Sequence, residues 1–206
     1  AAEGVLDLAH GLLAEDARAT ARTRILTAHR LGDVALGRGE FDRARALFAD
    51  AREVARDAVD ASEERAFVVS EERLAALLDE SGDSASAIEL QEDALERAEG
   101  LGNEAEQSGM RTSLAISYVH AGRYADAERR ARVAFDERSA RLPAGDARRV
   151  NTVRVLVDAL LGVGETDEAL ALAERAVAAN ELPVDDPRSA LLAVWHARVA
   201  LRVARA

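Results

Sequence analysis

Apolar and small residues recur along this chain in a pattern that repeats four times in register. The stretches LGDVALGRGEFDRARALFADA from Leu31, LAALLDESGDSASAIELQEDA from Leu74, LAISYVHAGRYADAERRARVA from Leu114 and LVDALLGVGETDEALALAERA from Leu156 align without a gap. Each has Leu first, Gly ninth (Gly39, Gly82, Gly122, Gly164), Ala fourteenth (Ala44, Ala87, Ala127, Ala169) and Ala twenty-first (Ala51, Ala94, Ala134, Ala176). An apolar residue, a small one and another apolar residue three later, as in Leu31, Gly32 and Ala35, form one face of a first helix. The ninth-place glycine supplies the left-handed residue that ends it. A second helix begins two residues on, and its two alanines, seven apart, share a face where small side chains let helix axes approach closely. The pattern predicts an all-α chain of antiparallel helix pairs.

This pattern resembles the tetratricopeptide repeat family, whose motif places a small residue after an apolar one in the first helix, Gly at the turn and small residues in the second. The resemblance covers residues 25 to 183 and implies an α-α superhelix, a TPR-like solenoid with repeats at 25–58, 68–101, 108–141 and 150–183. Two positions depart from it. Val157 stands where the family prefers Gly, Ala or Ser, and Gln91 stands where Phe48 sits in the first repeat, which predicts looser packing in the fourth and second repeats. The repeat starts are 43, 40 and 42 residues apart, against about 34 for the usual unit. The surplus is expected to lengthen the helices by one or two turns. Long-helix repeats of this kind look like those of kinesin light chains and of the sensor regions of many bacterial transcription regulators.

Chain breakers fit this phasing. Gly100, Gly102 and Asn103 separate the second unit from the third, Pro143 and Gly145 the third from the fourth, and Pro183 and Pro187 follow the fourth. Asp186 before Pro187 reads as an N-cap and first helical position. No low-complexity linker interrupts the pattern, so residues 1–206 read as one solenoid domain. Register places 1–18 as the second helix of a preceding unit and 186–206 as a first helix lacking its partner. A segment of a longer array is the expectation that follows. Leu191, Leu192, Val194 and Trp195 on the terminal helix make a homodimer through such ends a further expectation.

Composition adds mainly exclusions. The chain has no Cys, so thiolate metal sites, disulfides and cysteine nucleophiles are absent. All 27 basic residues are Arg and 38 residues are acidic, giving a formal charge of −11, which opposes direct nucleic-acid or anionic-membrane binding. No apolar run is long enough to span a membrane, and the acidic start does not look like a secretory leader. The cytoplasm is the expected compartment.

No catalytic or metal constellation emerges. His10, His29, His120 and His196 are scattered and read as surface or groove residues, with no metal and no cofactor expected. The GxG stretches fall on repeat turns and read as helix C-caps. Pairs such as Glu71 and Glu72 read as solvated helix stripes, not acid and base. Arg129, Arg130, Arg132, Arg148 and Arg149 read as local ion pairs. The chain is expected not to be an enzyme.

The candidate site is therefore the surface that the repeat fold creates. The resemblance implies that first helices line a concave face, and carrying its groove positions across gives His29, Arg30 and Asp33 in the first repeat and Glu72 and Arg73 in the second. The third contributes Thr112, Ser113 and Ile116, and the fourth Asn151, Arg154 and Asp158. These do not reproduce the Lys and Asn carboxylate clamp of some co-chaperones. Arg30, Arg73 and Arg154 still suit an acidic peptide, because guanidinium forks match carboxylates. A protein or peptide scaffold is the first expectation, and a ligand- or peptide-sensing segment of a larger transcription regulator is the second.

Overall fold

The structure, a computed structural model, describes residues 20–56, 61–102, 104–179 and 187–204 together with Gly4, Leu8 and Gly11. The rest of the expected helix over 1–18, His10, the Asp186 cap, Pro183 and Asn103 lie outside the described residues, as do the side chains of Glu63, Leu191 and Leu192. The helices are α1 (Ala21–Gly37), α2 (Phe41–Ala55), α3 (Ala61–Glu80), α4 (Ser84–Leu101), α5 (Glu104–His120), α6 (Tyr124–Arg141), α7 (Ala147–Val163), α8 (Thr166–Ala178) and α9 (Pro187–Val203). No strand occurs among the described residues. The first helices α1, α3, α5 and α7 run 17, 20, 17 and 17 residues, about five turns each at 3.6 residues per turn.

The turns within the pairs follow the sequence pattern closely. Gly39, Gly82, Gly122 and Gly164 all have positive φ, between 71° and 92°. That conformation costs an L side chain but not glycine. In every turn the residue after the glycine donates its N–H to the carbonyl five residues back: Glu40 to Ala35, Asp83 to Leu78, Arg123 to Tyr118 and Glu165 to Leu160, at 2.8 to 2.9 Å. This bond satisfies a carbonyl that the end of the first helix would otherwise leave unpaired. Among the described residues, side-chain caps open three helices. Thr20 accepts from the Thr23 amide, Asp83 from that of Ser86 and Asp146 from that of Arg148.

The described helices group into two compact units, Ala1–Asn103 and Glu104–Ala206. In the first, α1 packs on α2, α2 on α3 and α3 on α4, while α1 and α3 also touch. The second repeats this order with α5 to α8 and adds α9 against α8. The template residues form the cores. Leu31, Leu114 and Leu156, with all four fourteenth-place alanines, are buried. Ala51, Ala94 and Ala134 are buried too, while Ala176 is only partly so.

The two departures resolve differently. Val157 is fully buried within the α7 and α8 cluster, so the fourth repeat accommodates the larger side chain. Gln91 is buried as well, but its Oε1 has no hydrogen-bond partner, a cost that an apolar residue there would not carry. At Gly32 the small residue is a steric necessity. A Cβ there would stand 2.3 Å from the Phe48 ring, whose side chain is fully buried between α1 and α3 neighbours.

On α9, Trp195 packs toward the α7 and α8 core, whereas Val194 and Leu201 are more than half exposed. Of the apolar residues expected to form an outward face at that end, Trp195 therefore points elsewhere. Its helix register turns it inward together with Val199.

Candidate functional site

In the first unit, the expected groove residues separate by burial. His29 is 7% exposed, and this corrects its assignment to an open face. Helix periodicity places it one turn from Ile25 on the core side, edge-on to Phe48 at 6.1 Å between centroids. Ser70 donates its single hydroxyl proton to the Ala66 carbonyl, so the His29 Nε2–H donates to Ser70 Oγ at 2.8 Å. Burial first, then the positive charge of Arg73, pull the His29 pKa down to about 4, with Asp33 opposing. His29 is thus a neutral bolt between α1 and α3.

Arg30 and Asp33 are exposed, while Glu72 and Arg73 are partly buried. Arg73 reaches across from α3 to pair with Asp33 on α1 and lies over the Phe48 ring, 5.3 Å from its centroid. The structure therefore brings Asp33 and Arg73 together as a strut, and reversing Arg73 would disturb packing as well as charge.

Behind this face sits an arrangement that the sequence did not announce. Glu71, expected on a solvated stripe, is fully buried. Arg52 from α2 donates through Nε and Nη2 to one oxygen, Glu71 Oε1, at 2.9 and 2.8 Å, and Oε2 has no partner. Burial drives the Glu71 pKa up to about 7. The Arg52 bond opposes this, and Asp93 on α4 adds to it. Two guanidinium groups lie over the Phe67 ring, Arg52 at 5.2 Å and Arg97 at 4.1 Å, and Arg97 also pairs with Glu64 and Asp93. This charged and aromatic layer ties α2, α3 and α4 together. Twofold charge on neighbouring Glu71 and Glu72 conceals it, because only the 3.6-residue phase distinguishes the inward from the outward member.

In the second unit, Thr112 is 2% exposed, which corrects its placement on the open face. Its hydroxyl donates to the Ser108 carbonyl and meets Thr152 Oγ1 at 3.2 Å. Arg138 from α6 donates to Thr152 Oγ1 and to the Arg148 carbonyl, so Thr112 belongs to a hydrogen-bonded link between helices. Ser113 and Ile116 are partly buried, with Ile116 packed against the core.

Asn151, Arg154 and Asp158 do come together on α7. Arg154 donates to Asn151 Oδ1 at 3.2 Å and to Asp158 Oδ2 at 3.3 Å. Burial raises the Asp158 pKa, and the positive groups of Arg154, Arg202 and His120 pull against it. Those groups come from α7, α9 and α5, all first helices by register. Arg202 and His120 are members that the carried-over positions missed. His120 lies one turn beyond Ile116 on the same face, so helical periodicity carried a signal for it. Arg129 and Arg148 pair locally, with Asp126 and Asp146, whereas Arg132 pairs with Glu128 on its own helix and also reaches Glu168 on α8. No described helix is long and apolar enough to cross a membrane.

With this geometry in view, the comparisons identify the class. No protein-family profile matches the chain, and no curated protein sequence does. Solved structures match well. Nearly identical TPR-like repeats assigned to a kinesin light chain of Podosopora anserina superpose with a TM-score of 0.77 at 21% identity, covering 88% of each chain. A form of those repeats with one glutamine replaced by methionine gives 0.72 at 19%, over 86% of this chain and 84% of the other. BtubC (BKLC) from P. vanneervenii gives 0.76 at 20%, over 97% of this chain and 80% of its own. The protein has the all-α fold of TPR-like helical repeats, the type that long-helix phasing of the sequence points to.

Proposed function

We propose that this protein is an interaction scaffold that holds an acidic segment of a protein partner against the first-helix face of the Glu104–Ala206 unit. The observation that carries this reading is the exposed guanidinium of Arg154, which meets Asn151 and Asp158 on α7, with Arg202 of α9 and His120 of α5 near enough to act electrostatically on the Asp158 carboxylate. Two arginines, Arg154 and Arg202, act on that one carboxylate. A carboxylate supplied from outside completes the balance, and Arg154 and Arg202 can meet it with forked N–H donors. The corresponding face of the first unit is less suited, because Arg73 is already committed to Asp33 and Phe48. The fold similarity supports the general class, since TPR-like repeats are typically protein-interaction modules, and the fourfold register of the sequence supports treating the repeats as equivalent units.

The role is one of holding, not turning over, a partner. Exposed ion pairs are individually weak, about 0.2–1 kcal/mol each, so affinity must come from an extended segment that engages several groups. Fluorescence anisotropy with a labelled Asp- and Glu-rich peptide tests the proposal. Saturable binding that weakens at least tenfold in Arg154→Glu/Arg202→Glu, with unchanged helix content, supports it. Equal affinity in the variant refutes the site.

A further inference from the structure

The second residue after the turn glycine has an aromatic ring in two repeats, Phe41 in the first and Tyr124 in the third. Their surroundings differ. Tyr124 lies on α7 at Gly162, where a Cβ would stand 2.1 Å from its Cγ, so the ring fills the seam between repeats. Gly162 is the sixth residue after the repeat's leading Leu156. The sixth after Leu74 is Glu80. Phe41 consequently has no glycine to lie on.

Phe41 remains 55% exposed, a large share for a ring in a chain with only 3% aromatics. Beside it opens a cleft of about 280 Å³ lined by Phe41, Asp42, Arg45, Leu77, Glu80 and Ser81. A water's share of liquid volume is about 30 Å³, so the cleft has room for a side chain. Leu77 is buried. Among the described residues, neither the Asp42 nor the Glu80 carboxylate takes part in a hydrogen bond or an ion pair. Arg45 donates to Ser81 Oγ, a long bond of 3.4 Å.

We propose that this cleft receives a basic side chain, arginine or lysine, of a protein partner, with the ring face of Phe41 and the carboxylates of Asp42 and Glu80 as its recognition elements. An aromatic face attracts a cation through its quadrupole. Two unengaged carboxylates supply the counter-charge, and the −11 balance of the chain draws basic partners toward it. Arg45 is the competing internal charge, and its weak hold on Ser81 leaves it displaceable. The site lies in the Ala1–Asn103 unit and stands independently of the acidic-segment site proposed above.

The test is an NMR titration of ¹⁵N-labelled full chain with N-acetyl-arginine amide, using the leucine and glutamate amides as controls. Saturable shifts of the amides of residues 41–45 and 77–82 are expected with the arginine probe alone. Phe41→Leu keeps an apolar floor but loses the ring face, and should weaken binding about fivefold. Asp42→Asn/Glu80→Gln should abolish saturation, and Arg45→Gln should tighten binding. Arg154→Glu should change none of this. Equal binding of the leucine probe, a non-saturating arginine titration, or an unchanged double variant overturns the proposal.

Discussion

Arg52 spends two donors on a single oxygen of Glu71, Oε1, and leaves Oε2 buried without a partner. A fully buried carboxyl so placed, with Asp93 beside it, favours its protonated form, and its pKa stands near 7. Protonation therefore stabilises the first unit. That contribution is complete below the ordinary carboxyl value of 4.5 and is lost as pH rises through about 7. His29 acts in the opposite sense. Its lowered pKa of about 4 means that stability is complete above 6.5 and falls as pH drops toward 4.

The two effects offset one another between about pH 4.5 and 6.5 and leave a decline in stability between about 6.5 and 7.5. Glu71→Gln should remove that decline, so that stability rises with pH up to about 6.5 and then stays level. Urea unfolding at several pH values, followed by circular dichroism, measures both profiles. Parallel pH profiles for the two proteins would contradict the buried-proton account.

Two glycines fill steric roles that alanine cannot. A Cβ at Gly162 meets the Tyr124 ring at 2.1 Å, and one at Gly32 meets Phe48 at 2.3 Å. Gly162→Ala and Gly32→Ala should each destabilise by about 1–3 kcal/mol through overpacking, despite the better helix propensity of alanine. Denaturant midpoints check this, and Gly162→Ala/Tyr124→Leu should recover part of the loss.

Turn and helix glycines should respond with opposite signs. Gly82 has φ +88°, so Gly82→Ala should cost roughly 1–2 kcal/mol. Gly100 lies in α4 with no atom within 4 Å of an added Cβ, so Gly100→Ala should gain about 0.5–1 kcal/mol. The same unfolding measurement on the two variants reads both directions.

Much of the fold is written in the spacing of Leu, Gly and Ala. Four leading leucines lie within the buried face of each first helix, and four turn glycines mark where that helix ends. The candidate site was less legible, because it depends on helix phase at single residues. His29 and Thr112 occupy positions next to the open face, yet a rotation of one residue about the helix turns them into buried links to Ser70 and Thr152. Glu71 and Glu72 look alike in sequence, and only one is buried. Arg202 acts on Asp158 from 44 residues away, close to one repeat offset, but the four-repeat template ends before α9 and so left it out.

Charge reversal at Arg154 should separate binding from folding. Arg154 is exposed and contacts Asn151 and Asp158 on its own helix. Replacing it with Glu should alter stability by under about 1 kcal/mol, while its effect on an acidic ligand should be several-fold and shrink as salt rises. Anisotropy titrations at two ionic strengths, paired with unfolding curves, provide the check.

Amide hydrogen exchange of the full chain with and without a saturating Asp- and Glu-rich peptide tests the scaffold reading most directly. The account predicts added protection on α7 around residues 151–158, at the end of α5 near His120 and on α9 near Arg202. Protection confined to the second helices α6 and α8, with these three first helices unchanged, would contradict it.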